Sequence, residues 1–394
     1  MERTANIDLA AWRVRTTTRR QLSLRVFAGI LVTCACVSAL AASWLPLQVS
    51  VVTVFLFAGP HNWFELRYFL MRLPVRFGKS RNFFIAAFAG IGGLTLSYVA
   101  LPVVYNFNLF PAQAWPNVLA IWNTLLLLWL GLLVWLRGKN KPRRNWSWAF
   151  PVALGLCSLN WLAPEFFSLG IVYLHPLVAL WFFDRHLARN RPDWLRTYRR
   201  CLCLLPLLLV GMFWKLGQTA ALPDDNGLFW RITQHAGAQL LPNISSHVLV
   251  ATHVFLEMLH YGVWLVALPL IAKSGGRKQG QGQGQEQGQG QGQGQAGSKT
   301  SLSGFSLLLP PAPASFFPFR LSLPPAPASF LSVPVARHPR GFPKLVAMAL
   351  GLGVFLVAVL WIGFAVDYST TRDIYFTVAI AHVLAEAPFL LKML

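Results

Sequence analysis

The stretch PNVLAIWNTLLLLWLGLLVWL, residues 116–136, holds no charged side chain. A helix needs about 20 apolar residues to cross a ~30 Å hydrocarbon core. Runs of this kind recur at roughly 23–44, 48–68, 83–105, 116–136, 148–162, 165–184, 201–215, 245–271, 345–366 and 374–392. In lipid every backbone polar group must be paired internally, so only helices and closed barrels span. The ~10-residue alternating segments of a barrel are absent. The sequence therefore predicts an all-α, polytopic transmembrane helix bundle of about ten spans, with 148–162 and 201–215 the shortest. Composition agrees: 12% of residues are charged, about half the share of a soluble domain.

The net charge of +21 could point to nucleic acid, so its placement decides. With the N-terminus inside, every Lys and Arg except Lys215, Arg231 and Arg372 falls in an inside loop or end. That is the positive-inside pattern. It predicts an inner-membrane protein with both termini cytoplasmic. The basic residues meet lipid headgroups, and no nucleic-acid partner is implied. TTTRRQLSLRVFAGILVTCACVSALAAS resembles a twin-arginine signal, but the spans that follow make 23–44 a retained signal-anchor. The five cysteines fall in apolar runs and read as small hydrophobes rather than disulfides or ligands.

Four regions follow: a basic cytoplasmic N-terminus (1–22), eight spans (23–272), a low-complexity cytoplasmic loop (273–344) and two spans (345–394). The loop contains QGQGQGQEQGQGQGQGQ and a repeated LPPAPASF. The Gln/Gly part cannot bury a core and is expected to be disordered; the Pro-rich part is expected to be extended. It reads as a tolerated linker, with docking of a proline-reading partner protein the alternative. RNRPDWLRTYRR, residues 189–200, reads as an interfacial basic loop. An amphipathic surface helix is expected near 227–240.

Ionisable residues inside apolar runs carry the functional signal. His-x-x-x-Glu occurs three times, as His61/Glu65, His253/Glu257 and His382/Glu386. A step of four places each pair on one helix face. His260 continues the His253/Glu257 stripe, and His175 lies in a fourth run that ends in Asp184 and His186. Pro60, Pro176 and Pro388 stand beside these residues and free backbone carbonyls one turn back. His61, His175, His260 and His382 lie about 7, 9, 11 and 10 residues from the inner ends of their runs, hence at similar depth. An ionised side chain at the bilayer centre costs roughly 2.5–3.5 kcal/mol, so these groups must face inward and be paired, protonated or metal-bound.

Imidazole and carboxylate without soft sulfur suit iron, with zinc second. His61, His175, His253, His260 and His382 are the candidate metal ligands, with Glu257 and Glu386. Glu65 and Asp184 are candidate partners that orient the ligands. The site is mononuclear on histidines or dinuclear. Glu257-x-x-His260 has the spacing of dinuclear carboxylate bundles but occurs once. The expected function is a metal-dependent oxidoreductase acting on a lipophilic small-molecule substrate. The alternatives are a proton-coupled transporter or permease with a His/Glu relay, bis-histidine haem ligation, and a structural protein with a hydrogen-bonded polar interface.

An early Pro-His pair followed four residues later by an acid, in GPHNWFE, with histidines in several apolar helices, resembles the Brp/Blh membrane β-carotene dioxygenase family. The resemblance implies iron held by histidines, with His61 the early one and His175, His253, His260 or His382 the later ones. Here Asn62 stands where the family pattern has glycine, and Glu65 where it has aspartate. What is implied is the type of site, not the substrate.

Overall fold

The computed structural model describes residues 23–72, 80–140, 145–223, 225, 227–274 and 344–393. The basic N-terminus and nearly all of the low-complexity loop lie outside them, so the expectations for those segments do too. Regular structure among the described residues is all helical. The long helices are α1 (Leu24–Trp44), α2 (Pro46–Arg72), α3 (Arg81–Asn106), α4 (Trp115–Asn140) and α6 (Pro164–Asn190), then α10 (Ser246–Gly262), α12 (Lys344–Val366) and α13 (Tyr368–Met393). The shorter ones are α5 (Ala149–Leu162), α7 (Pro192–Leu202), α8 (Leu204–Leu216), α9 (Leu228–His235) and α11 (Leu268–Ser274).

Seven helices among the described residues are long and apolar enough to cross a membrane. They are α1, α3, α4, α6, α12, α13 and the α10 segment continued to Ile271. The about ten expected spans differ from these at three places. α2 has 27 residues, but Pro60, His61, Asn62 and Glu65 interrupt its apolar run. α5 and α8 have 14 and 13 residues, which at ~1.5 Å per residue fall short of the hydrocarbon core.

Four helices form an inner ring. α2 packs on α10, α10 on α6, α6 on α13, and α13 back on α2. The others wrap this ring: α1 and α8 cover α10, α12 covers α2 and α13, α3 and α4 cover α13, and α5 lies on α4 and α6. The wrapping helices turn apolar side chains outward, as Leu96, Leu128, Leu207, Phe355 and Ile362 show. Helices that are apolar all round suit a lipid surround. The α10 segment is 67% buried, the most of the seven, which fits its place inside the ring.

Asn123, Asn160 and Ser168 tie α4, α5 and α6 together. Asn123 Nδ2 donates to Asn160 Oδ1 at 2.8 Å and to Ser168 Oγ at 3.1 Å; Asn160 Nδ2 donates to the Ala120 carbonyl at 2.8 Å. Nothing in the spacing of the apolar runs announces this cluster, although each asparagine stands out within its run.

Segment 189–200 is mostly helical rather than a loop. Pro192 opens α7 at a position where a missing N–H costs nothing. The four-residue step from Trp194 to Tyr198 puts both on one buried face. The Trp194 ring lies tilted against Phe27, centroids 4.7 Å apart, and Tyr198 donates to the Leu180 carbonyl at 2.8 Å. The expected helix near 227–240 is the shorter α9, with Ile232 and Thr233 buried. The cysteines are all free; four are half-buried and Cys203 is exposed, so they serve less as core than expected.

Candidate metal centre

Each ring helix delivers ligand-type side chains to one level. α2 supplies His61 and Glu65, α6 His175, α10 His260, and α13 His382 and Glu386. Proline lies inside three of these helices, at Pro60, Pro176 and Pro388. On α10 the corresponding irregularity is a π-turn, Val263–Ala267, which begins three residues after His260. Such turns insert an extra residue and often mark functional positions.

Two overlapping groups result. Ligand atoms of His61, Glu65, His260 and His382 lie within 4.8 Å of one another, as do those of His175, His260 and Glu386. The imidazole pairs His61/His260, His61/His382, His175/His260 and His175/His382 have ring centroids 5.2, 5.3, 4.6 and 4.9 Å apart. His175 Nδ1 is 3.4 Å from Glu386 Oε2. His61 Nδ1 lies 2.9 Å from the Phe57 carbonyl. A carbonyl only accepts, so Nδ1 carries the hydrogen and Nε2 keeps its lone pair for the centre.

The donor set fits a metal on two further observations. His175 Nε2 and His382 Nε2 are 3.1 Å apart. That is the length of an N–H···N hydrogen bond, and it is also about the separation of two neighbouring nitrogens on one ion at ~2.0–2.1 Å. Both oxygens of Glu65, both nitrogens of His260 and Oε1 of Glu386 are buried without a hydrogen-bond partner among the described residues. Each such atom costs about 1–3 kcal/mol if left unsatisfied, and a cation would satisfy them together.

His253 and Glu257 join neither group. They lie up to seven residues before His260 on α10, or ~10 Å along the axis. His253 Nδ1 is 3.7 Å from Glu257 Oε2, and its ring lies 5.1 Å from that of His235. Glu65 is among the converging ligand atoms rather than behind them. Asp184 is remote from the centre and grips Arg199 at 2.8 and 3.1 Å, with Arg185 at 3.5 Å. His186 meets the Tyr68 hydroxyl at 2.9 Å, and His247 the Ser43 carbonyl at 3.2 Å.

The centre has a closed side and an open side. Towards the basic helix ends, Phe69 stacks on Phe389 at 4.1 Å, and Phe182 and Trp264 pack against Phe69. Towards the other ends a cavity of about 460 Å³ runs from His61, His175, His260 and His382 past His253, Glu257 and Arg372 to Trp230 and Arg231. A second cavity shares Tyr98 and Thr377 with it and is bounded by Leu101, Tyr105 and Trp115 on α3 and α4. Burial, and then the nearby His253 and Arg372, push the His235 imidazole well below its ordinary range. Sequence reasoning passed over Arg372 and left His235 unassigned. The one available signal for Arg372 was a cation outside the positive-inside pattern. Comparison of the chain with family models, with curated proteins and with solved structures finds no match.

Proposed function

We propose that the protein is a multi-pass inner-membrane metalloenzyme, an iron-dependent oxidoreductase acting on a lipophilic substrate. In this reading the chain crosses the bilayer about ten times, with both termini cytoplasmic. α2 crosses as a polar-faced member of the inner ring, its polar face turned to its neighbours, and α5 and α8, shorter than the hydrocarbon core, complete the count only with local thinning of the bilayer around them. The Lys and Arg distribution supports that orientation.

The observation that carries the function is the convergence of four histidines and two glutamates from four helices, several of their atoms without a partner. His61, Glu65, His260 and His382 would form the core of the donor set, with His175 against His382 and Glu386 against His175 completing it for one ion or a close pair. Nitrogen and carboxylate donors favour iron, with zinc the lesser candidate. Iron with open positions supplies oxygen-dependent hydroxylation, desaturation or cleavage. The chain's own part is to orient and to exclude water. The Phe57 carbonyl fixes the His61 tautomer. The Phe69–Phe389 layer shuts the basic side, and the cavity admits substrate from the other.

Metal analysis of the full chain in detergent tests this. Wild type and His253→Ala are expected to carry about one or two ions per chain. His61→Ala and His382→Ala should fall to roughly a tenth or less. Metal-free wild type would overturn the reading and return these residues to a proton relay or a hydrogen-bonded helix interface. Equal loss in His253→Ala would overturn the ligand assignment.

A further inference from the structure

Arg372 is 3% exposed, in the second turn of α13, and it lines the cavity above the histidines. Its Nε has no hydrogen-bond partner among the described residues. The nearest carboxylate in ion-pair range is Asp373, whose Oδ1 is 4.0 Å from Arg372 Nη1, and Asp373 is already held by Arg231 at the cavity mouth. Glu257 lines the same cavity but forms no ion pair with Arg372; its Oε2 is 3.7 Å from His253. The guanidinium lies over the Phe376 ring at 4.7 Å, which fixes its plane. A buried guanidinium whose nearest carboxylate stands 4.0 Å away and is shared with Arg231 is incompletely compensated, which is costly. Its planar fork matches a carboxylate or phosphate better than any other common group does.

The position relative to the centre adds the second part. Arg372 and His382 share α13 and are ten residues apart, about 15 Å along the axis. Both line the one cavity, whose wall between them includes Phe376, Ala379 and Ile380. We propose that Arg372 is the headgroup site for an amphipathic substrate, a single acyl chain with an anionic head, whose chain runs down the cavity to the histidine centre. This deepens the reading above and rests on it for the reaction, but the binding itself requires no metal. The head would sit near the membrane surface, as an anionic lipid head does, and the reacting carbon would lie well down the chain.

The test measures binding of hexadecanoate, hexadecyl phosphate and hexadecanol to the full chain in an uncharged detergent, before and after treatment with a chelator. Wild type is expected to bind at least one of the anions about tenfold or more tightly than hexadecanol, in both conditions. Which anion is preferred distinguishes a free carboxylate from a phosphorylated lipid. Arg372→Gln should lose the preference, and Arg372→Lys should keep part of it. Acetate and inorganic phosphate should compete poorly, because they lack the chain. Equal affinity for the anions and the alcohol in wild type overturns the proposal and leaves Arg372 as a structural residue beside Asp373 and Phe376, even if Arg372→Gln does not fold. So does an unchanged preference in folded Arg372→Gln. A preference kept after chelation while wild type proves metal-free would support the headgroup site and sink the metal reading, so the two can fail separately.

Discussion

Asn123 and Asn160 are buried in this bundle as completely as His61 and Glu65, all four at 1% exposure or less. The two clusters differ in how they close. In the asparagine cluster each amide meets a carbonyl, a hydroxyl or the other amide, so α4, α5 and α6 are joined with their polar demands met. In the histidine cluster Glu65 and His260 bring polar atoms within 4.8 Å of one another, and among the described residues these atoms have no hydrogen-bond partner. A polar interface that serves only to join helices has no reason to leave such atoms open. The contrast is what supports the proposal that a further group binds at the histidine cluster.

The comparison can be broken most sharply by metal removal. An ion present at 100 times its Kd stabilises the folded chain by about 2.7 kcal/mol. Chelation is therefore expected to lower the thermal transition of wild type by that order, and to leave His382→Ala unmoved. A transition insensitive to chelation in metal-loaded wild type would mean the histidines do not hold the metal. Asn123→Ala should cost less, about 0.6–2 kcal/mol as for other interhelical hydrogen bonds in membranes. Its cost should be the same with and without chelator, as read in a double comparison of Tm; a cost that vanishes after chelation would mean the two clusters are one unit.

The smallest effect belongs to a polar group that is both satisfied and exposed. Asp367 caps α13, and hydrogen bonds from the Thr370 hydroxyl and backbone N–H hold its carboxyl below the ordinary range. A depressed folded pKa gives stability that is present above the unfolded value of about 3.9 and is lost as pH falls through the folded one. Asp367→Ala should thus lower Tm slightly at pH 7 and flatten its decline in acid. An unchanged acid limb would remove the cap from the account.

Three His-x-x-x-Glu pairs look alike along the chain, and the fold treats them differently. Four-residue spacing does place each pair on a single helix face, and His61/Glu65 and His382/Glu386 face each other. His253/Glu257 sits higher on α10 and faces Arg372 and His235 in the cavity instead. Spacing determines which side of a helix a residue occupies. It does not determine where that helix crosses its neighbour. The similar depths of His61, His175, His260 and His382, counted from the run ends, were the better guide, because depth is measured along the direction in which the helices meet.

What the sequence by itself determined is the material of the protein: helices, apolar outward faces, and four polar-bearing helices among apolar ones. Backbone pairing in hydrocarbon leaves no other solution to such runs, so local composition suffices. The tertiary structure alone decided that α2, α6, α10 and α13 close into a ring, that Glu65 joins the histidines, and that Asp184 serves Arg199. It also decided that Arg372 and His382 line one cavity. Those outcomes depend on which side chains from distant segments fill the space between helices, and interhelical packing of that kind leaves no periodic trace in any one of them.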